Sequence, residues 1–300
     1  VICKDRVVIV TGAGRGLGRA HALAFAAAGA KVVVNDYGAS LRGDEGHSAG
    51  PADEVVAEIR AAGGEAVAHY GDVAEWSHGA DLVRTAIEAF GDLHVVVNNA
   101  GIVRDRMFVS SEAAEWEAVL RVHVLGHVAT ARHATDHWRK QIKAGKRVQG
   151  RILNTTSGAG LQGSIGQAAY SAAKGAIASL TLVQAAELGR YGITANAIAP
   201  AARTRMTETV FAEMMAAPAE GFDAMDPANV SPLLVWLGSE ASDGVTGRVF
   251  EAKGGELWLS DGWRPLPGVD KGARWLPEEL GEVVRQLIAA APAPAPVYGA

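Results

Sequence analysis

The chain has 300 residues, 49% of them apolar, and a net charge of −5. That charge, without a basic stripe, gives no reason to propose a nucleic acid partner, and no apolar run approaches the ~20 residues of a membrane span. The single cysteine, Cys3, cannot close an intrachain disulfide, so nothing implies an oxidising compartment; no signal-peptide pattern is visible, and a cytoplasmic location is expected.

Val7-Val8-Ile9-Val10 opens the alternation of elements. A β-branched run suits a strand buried on both faces, and a strand is expected over 6–11. It leads into Thr11-Gly12-Ala13-Gly14-Arg15-Gly16-Leu17-Gly18. The alanine-rich stretch that follows predicts a helix over 16–28, with Gly29 as its stop. Strand, glycine loop and helix in that order suit a dinucleotide. Glycines let the backbone approach a pyrophosphate, and the helix N-terminus offers free N–H groups and a positive dipole end. A second strand over 31–35 ends at Asp36, whose carboxylate can accept from the adenosine ribose hydroxyls and repels a 2′-phosphate. Arg15 pulls the other way, since it can pair with such a phosphate. Asp36 is weighed more heavily, so NAD(H) is expected over NADP(H); a surface turn acid is its competing reading.

Further strands are expected near 65–70, 93–97, 151–156, 193–198 and 247–252, and further helices near 51–62, 78–90, 112–143, 168–190 and 228–239. Each link between strands is long enough for a crossover helix. The expectation is therefore an α/β fold, a Rossmann-type doubly wound parallel sheet of about seven strands in one domain over 1–255. The nucleotide should lie over the carboxyl ends of the strands, where their order reverses.

Tyr170-Ser171-Ala172-Ala173-Lys174 falls in the helix over 168–190, and Ser157 stands thirteen residues before the tyrosine. A tyrosine hydroxyl titrates near ~10. A lysine one turn later shares its helix face, and its positive charge favours the phenolate. A serine hydroxyl beside them can hold a substrate oxygen. That set can move a proton on or off an alcohol while a hydride leaves or arrives at the same carbon. By itself a Tyr/Lys pair at this spacing more commonly marks an amphipathic helix with a solvated lysine.

Three regions are less specific. Basic, glycine-punctuated residues over 138–150 read as a solvated loop, with contact to CoA phosphates as the alternative. Thr204, Met206, Phe211, Met214, Met215, Phe222 and Met225 stand between Pro200 and Pro227, and read either as a lid over substrate or as the core side of a short helix. Beyond residue 255, Trp258, Trp263 and Trp275 precede a helical period over 276–290 and an Ala/Pro tail over 291–300. This C-terminal extension is expected to pack on the domain or on a partner subunit. No hydratase or carrier domain is expected within these residues.

These segments resemble the short-chain dehydrogenase/reductase family over roughly residues 4–255. Thr11–Gly18 matches its TGxxxGxG loop. Asn98-Asn99-Ala100-Gly101 matches its NNAG motif, Gly71-Asp72-Val73 its adenine-contacting segment, and Ser157, Tyr170 and Lys174 its serine and YxxxK positions. His123 stands where the family usually carries an asparagine that holds a water near the lysine. Such a histidine, with Asn35-Asp36-Tyr37-Gly38 and Thr204-Arg205-Met206-Thr207, resembles one subgroup, the (3R)-hydroxyacyl-CoA dehydrogenase part of peroxisomal multifunctional enzyme type 2, also called 17β-hydroxysteroid dehydrogenase type 4. Two departures stand out. The family's Pro-Gly pair is Pro200-Ala201 here, and Thr204 comes one residue early, which leaves an ordinary helix N-cap as its alternative.

The resemblance implies an NAD-dependent oxidoreductase acting on a secondary alcohol, an acyl-CoA thioester or a steroid. Ser157, Tyr170, Lys174 and His123 form the implied catalytic set; a satisfied buried histidine with no proton role is the alternative for His123. The implied cofactor contacts are Gly12, Arg15, Gly16, Leu17, Gly18, Asp36, Asp72, Val73, Asn98, Ala100, Gly101, Tyr170, Lys174, Pro200 and Thr204. Relatives pair through the long helices 112–143 and 168–190, which implies a homodimer or homotetramer. An NADPH-dependent 3-oxoacyl-carrier-protein reductase is the competing enzyme, and a non-catalytic dinucleotide sensor the competing class. A metal-dependent hydrolase is disfavoured because the nine histidines show no HExxH spacing.

Overall fold

In the computed structural model, which describes residues 1–40, 42–43, 48–204, 215–293 and 295–297, the strands form one eight-stranded sheet. Its order is β3-β2-β1-β4-β5-β6-β7-β8. The strands are β1 Val7–Thr11, β2 Lys31–Asn35, β3 Glu65–His69, β4 Val95–Asn98, β5 Arg151–Thr155, β6 Thr194–Ala201, β7 Val249–Lys253 and β8 Glu256–Ser260. The first seven run parallel. β8 pairs antiparallel to β7, because Gly254-Gly255 alone joins them and a two-residue link closes only a hairpin. The sheet thus gains a strand beyond the seven expected, cut from the start of the expected C-terminal extension.

Strand periodicity divides the interior into two cores. Val8, Val10, Val32, Val34, Val95 and Val97 face one side, with Phe25, Val55, Ile59, Leu234 and Leu237. Val7, Ile9, Val33 and Val96 face the other, with Leu82, Ala86, Ala134, Trp138 and Ala185. The first side is covered by α1 (Gly16–Ala27), α2 (Gly50–Ala61) and, after the later helices, α8 (Ser231–Gly238). The second is covered by α3 (Trp76–Phe90), α5 (Gly126–Lys143) and α7 (Ala168–Leu188). The expected helix over 112–143 is a continuous rod of three parts: α4 Ala113–Leu120, a π-helical turn Arg121–Leu125, and α5. A five-residue helix, α6 Gly158–Gln162, was not expected. Last in the chain comes α9, Leu280–Ala290, with no buried residue.

The switch in strand order falls between β1 and β4, so their carboxyl ends open a crevice. At the opposite end, residues 144–150 lead from α5 into the start of β5. This places the end of the basic segment at the opposite end of the strands from the crevice, and its first six residues, 138–143, belong to α5 rather than to a loop.

Three fully enclosed histidines sit in this framework. Burial holds His21, which shares a 2.8 Å hydrogen bond with Ser231 Oγ, at about 3. His123 is held at about 3 by burial and then by the Lys174 charge, and His127 lies well below the ordinary value for the same two reasons. Their folded values lie below their unfolded ones, so the unfolded chain binds more protons as pH drops below about 6.5. The fold is therefore expected to lose about 1–2 kcal/mol per histidine between pH 7 and 5, seen as a falling urea midpoint. A midpoint that stays level over that interval contradicts the assignment of three neutral interior imidazoles.

Candidate functional site

A cleft of about 670 Å³ lies over the carboxyl ends of the strands. Its floor is built from β1 outward. Thr11 ends β1, and its Oγ1 accepts from Asn99 N at 2.9 Å and Ala100 N at 3.1 Å. Asn99 returns its amide to Thr11 O and Gly12 O at 3.0 and 3.2 Å. These bonds press the glycine loop onto the end of β4. Gly12 takes φ +62°, and a β-carbon there would stand 2.8 Å from Ala100 Cα. A β-carbon on Gly18 would run into Gly12 O. The loop can therefore lie flat only with no side chain at these two positions.

Arg15 begins α1 in an extended conformation and gives no side-chain cap. The first turn of that helix lines the cleft through Gly16, Leu17 and Gly18, and the free N–H groups of a helix start are a natural seat for a pyrophosphate. Asp36, at the end of β2, accepts from Gly14 N with Oδ2 and from Gly38 N with Oδ1, each at 2.7 Å. A carboxylate has about four acceptor sites, so two backbone bonds fix its plane and leave acceptor capacity toward the cleft. Asp72 and Val73 line the same end, with Asp72 Oδ1 accepting from Ala74 N at 2.9 Å. The cradle, the helix end and the carboxylate together fit a dinucleotide.

The other end carries the hydroxyls. Ser157 caps α6 and accepts from Ala159 N at 3.2 Å. Lys174 is 3% exposed and donates to Thr155 O at 2.7 Å. Burial pushes its ammonium down to about 7. Its Nζ stands 5.6 Å from the Tyr170 ring centre. His123 meets the same ring at 5.3 Å between centroids, with the planes 85° apart. Ser157, Tyr170, Lys174 and His123 all line the one cleft with the glycine loop.

Of the expected cofactor contacts, Gly12, Arg15, Gly16, Leu17, Gly18, Asp36, Asp72, Val73, Ala100, Gly101, Pro200 and Thr204 line the cleft. Asn98 does not. It is 1% exposed, and its amide donates to Asn154 Oδ1 at 3.0 Å and to His127 O at 3.3 Å. As the last residue of β4 it points between strand and helix, while the next residue, Asn99, reaches the cleft.

A model of the short chain dehydrogenase family matches residues 6–215 of the chain. The chain belongs to this family. The hydroxyacyl-CoA dehydrogenase ChsB1 of Mycobacterium tuberculosis is 41% identical over 95% of the chain and 89% of that protein. Peroxisomal multifunctional enzyme type 2 of mouse is 44% identical over 94% of the chain, but the match spans 34% of that longer protein. A solved short chain dehydrogenase from Mycobacterium avium is 60% identical, with a TM-score of 0.89 and full coverage of both chains.

The short-chain dehydrogenase cleft also draws on residues that sequence reasoning missed. Glu251 and Lys253 of β7 and Trp258 of β8 stand in its wall, as do Asn99, Gln167 and, from the insertion after β2, Ala39, Ser40 and Gly43. The insertion carries no catalytic or binding motif that marks it as a cleft wall. Met215 and Met225 are buried and line the cleft, whereas Phe222 is exposed. Met206, Phe211 and Met214 lie outside the described residues. Among the described residues no group of His, Cys, Asp or Glu fits a metal ion, and no helix is long and apolar enough to cross a membrane.

Gly18→Ala tests the cradle. The added methyl has no space beside Gly12 O, so NADH affinity is expected to fall at least about tenfold in a fluorescence titration. Unchanged affinity contradicts the close approach.

Proposed function

We propose that the chain interconverts a secondary alcohol and a ketone with NAD(H), on a (3R)-3-hydroxyacyl-CoA substrate. The observation that carries this reading is the convergence of Ser157, Tyr170 and Lys174 with the glycine cradle on one cleft. A bound nicotinamide dinucleotide supplies the hydride acceptor or donor. Gly12, Gly16, Leu17 and Gly18 hold its pyrophosphate, Asp36 its adenosine ribose, and Asp72 and Val73 its adenine side. Ala100, Gly101, Pro200 and Thr204 surround its reactive half.

The chain's own groups then move the proton. Ser157 holds the substrate oxygen. Tyr170, as phenolate, takes the hydroxyl proton. Lys174 supports that phenolate and reaches the nicotinamide ribose. A buried ammonium at about 7 is poorly stabilised by itself; a phenolate beside it stabilises the ammonium, and the ammonium stabilises the phenolate. Each charge thus favours the other, and placement in a near-attack arrangement supplies the rest of the rate.

NAD over NADP follows from the fixed Asp36 carboxylate, which would face a 2′-phosphate at close range. Arg15, the exposed residue at the start of α1, lines the same cleft and carries the competing reading of an NADPH-dependent 3-oxoacyl-carrier-protein reductase. The acyl-CoA class is supported by the ChsB1 and multifunctional enzyme relatives and by the methionine-lined wall of the cleft. A hydroxysteroid fits the same apolar wall. Self-association is supported by α9, whose Leu280, Val284, Leu287 and Ile288 stay exposed in a single chain; a homodimer or homotetramer is the inferred assembly, and the cytoplasm the inferred location.

The test follows reduced-nicotinamide absorbance across a panel of 3-hydroxyacyl-CoA thioesters and 17β-hydroxysteroids, each with NAD and NADP. Turnover with NAD and the (3R)-thioesters is expected, and Tyr170→Phe is expected to lower it by at least about a thousandfold while NAD still binds. Near-normal turnover in that variant refutes the catalytic assignment. A strong preference for NADPH transfers the reading to the reductase.

A further inference from the structure

His123 occupies the π-helical turn between α4 and α5. Such a turn widens the helix locally and re-aims a side chain, here toward the cleft. The ring is 1% exposed, yet it touches both halves of the site. Its Nε2 lies 2.8 Å from Ile102 O and 3.2 Å from Ile102 N. The shorter distance favours the tautomer in which Nε2–H donates to the carbonyl. Its Cε1 presses on Gly101 so closely that a β-carbon there would strike it. The same ring meets Tyr170 in a T-shaped contact.

We propose that His123 is a positioning residue, a rigid spacer between the Ala100–Ile102 loop and the Tyr170 ring that fixes where the proton acceptor stands relative to the coenzyme's reactive half. This rests on the dehydrogenase reading above. Three features support a spacer over a proton carrier. The ring is anchored at one nitrogen to backbone that does not exchange protons. Its other nitrogen, Nδ1, is enclosed and has no hydrogen-bond partner among the described residues. Burial and the facing Lys174 charge keep it neutral, and His127, next along the rod, is neutral for the same reasons. Gly101 is explained as well: the loop needs glycine there because the imidazole fills the space of its side chain.

The full chain is assayed with NAD and a 3-hydroxyacyl-CoA. His123→Phe keeps a ring and removes both nitrogens. His123→Gln keeps a donor able to reach Ile102 O and removes the ring. Both variants are expected to lose about ten- to a hundredfold in kcat, with substrate KM within about threefold and a larger primary deuterium isotope effect. The ionisations in the kcat pH profile are expected to stay the same in number. A merely packed histidine would lower the melting temperature and leave kcat per folded molecule alone, so kcat within about twofold of the parent in both variants overturns the proposal. An ionisation between about pH 5 and 8 that disappears in the variants also overturns it, since the ring would then carry protons. If neither variant folds, NMR of the His123 ring in the parent decides. Neutrality across that range, with the ring shifted on NADH binding, supports the spacer; protonation within it, or no response to NADH, overturns it. Parent turnover in the same assay separates the two levels: an inactive parent removes the dehydrogenase reading, whereas an active parent with unaffected variants removes only the role of His123.

Discussion

The site depends on a lysine that the fold has taken out of water. Lys174 is held by two hydrogen bonds of opposite sense. Its Nζ donates to Thr155 O at 2.7 Å, and its own carbonyl accepts from Thr156 Oγ1 at 2.7 Å. These bonds hook α7 onto the end of β5 at one residue. The hook works only because α6 lies close against α7: a β-carbon on Gly160 would stand 2.5 Å from Lys174 Cβ. Ser157, the cap of α6, and Tyr170, one turn before Lys174, are thereby brought to the same cleft. Enclosing an ammonium costs free energy, and its depression to about 7 reflects that cost. On the proposed mechanism a neighbouring phenolate would offset it, so an ionised Tyr170 and a charged Lys174 would favour one another.

The dinucleotide half obeys a different constraint, close backbone approach. The bonds from Thr11 to Asn99 and Ala100 draw the two inner strand ends together, and glycine is needed where the loop crosses them. Asp36 is then fixed by two backbone donors. The two halves meet at residues 100–102 and at His123, which is why a ring in an irregular helical turn matters to both.

Much of this was legible in the sequence. The Val7–Val10 run, the glycine spacing and the acid after the second strand marked the end of the sheet where the cleft lies, because each is a local requirement of backbone geometry. The YxxxK spacing gave the helix face of Tyr170 and Lys174. What escaped was set by tertiary context. α6 is five residues long, too short to show a period. β8, with Leu257, Trp258 and Leu259, read as an apolar extension because hairpin pairing is not visible in an exposed edge strand. The π turn lies inside an unbroken helical pattern, and only packing against Gly101 and Tyr170 distinguishes it. Asn98 and Asn99 are adjacent and chemically identical, and only strand alternation tells which one reaches the cleft. Among the described residues Trp263 is fully exposed and helix α9 buries no side chain.

The coupling between Lys174 and Tyr170 is open to direct measurement. Tyrosine labelled with 13C at Cζ allows the Tyr170 ionisation to be followed by NMR in the parent and in Lys174→Met, with the signal assigned by its loss in Tyr170→Phe. The parent signal is expected to titrate below the ordinary tyrosine value of ~10 and to move back up when the ammonium is removed. Identical titrations in the two proteins would contradict the account.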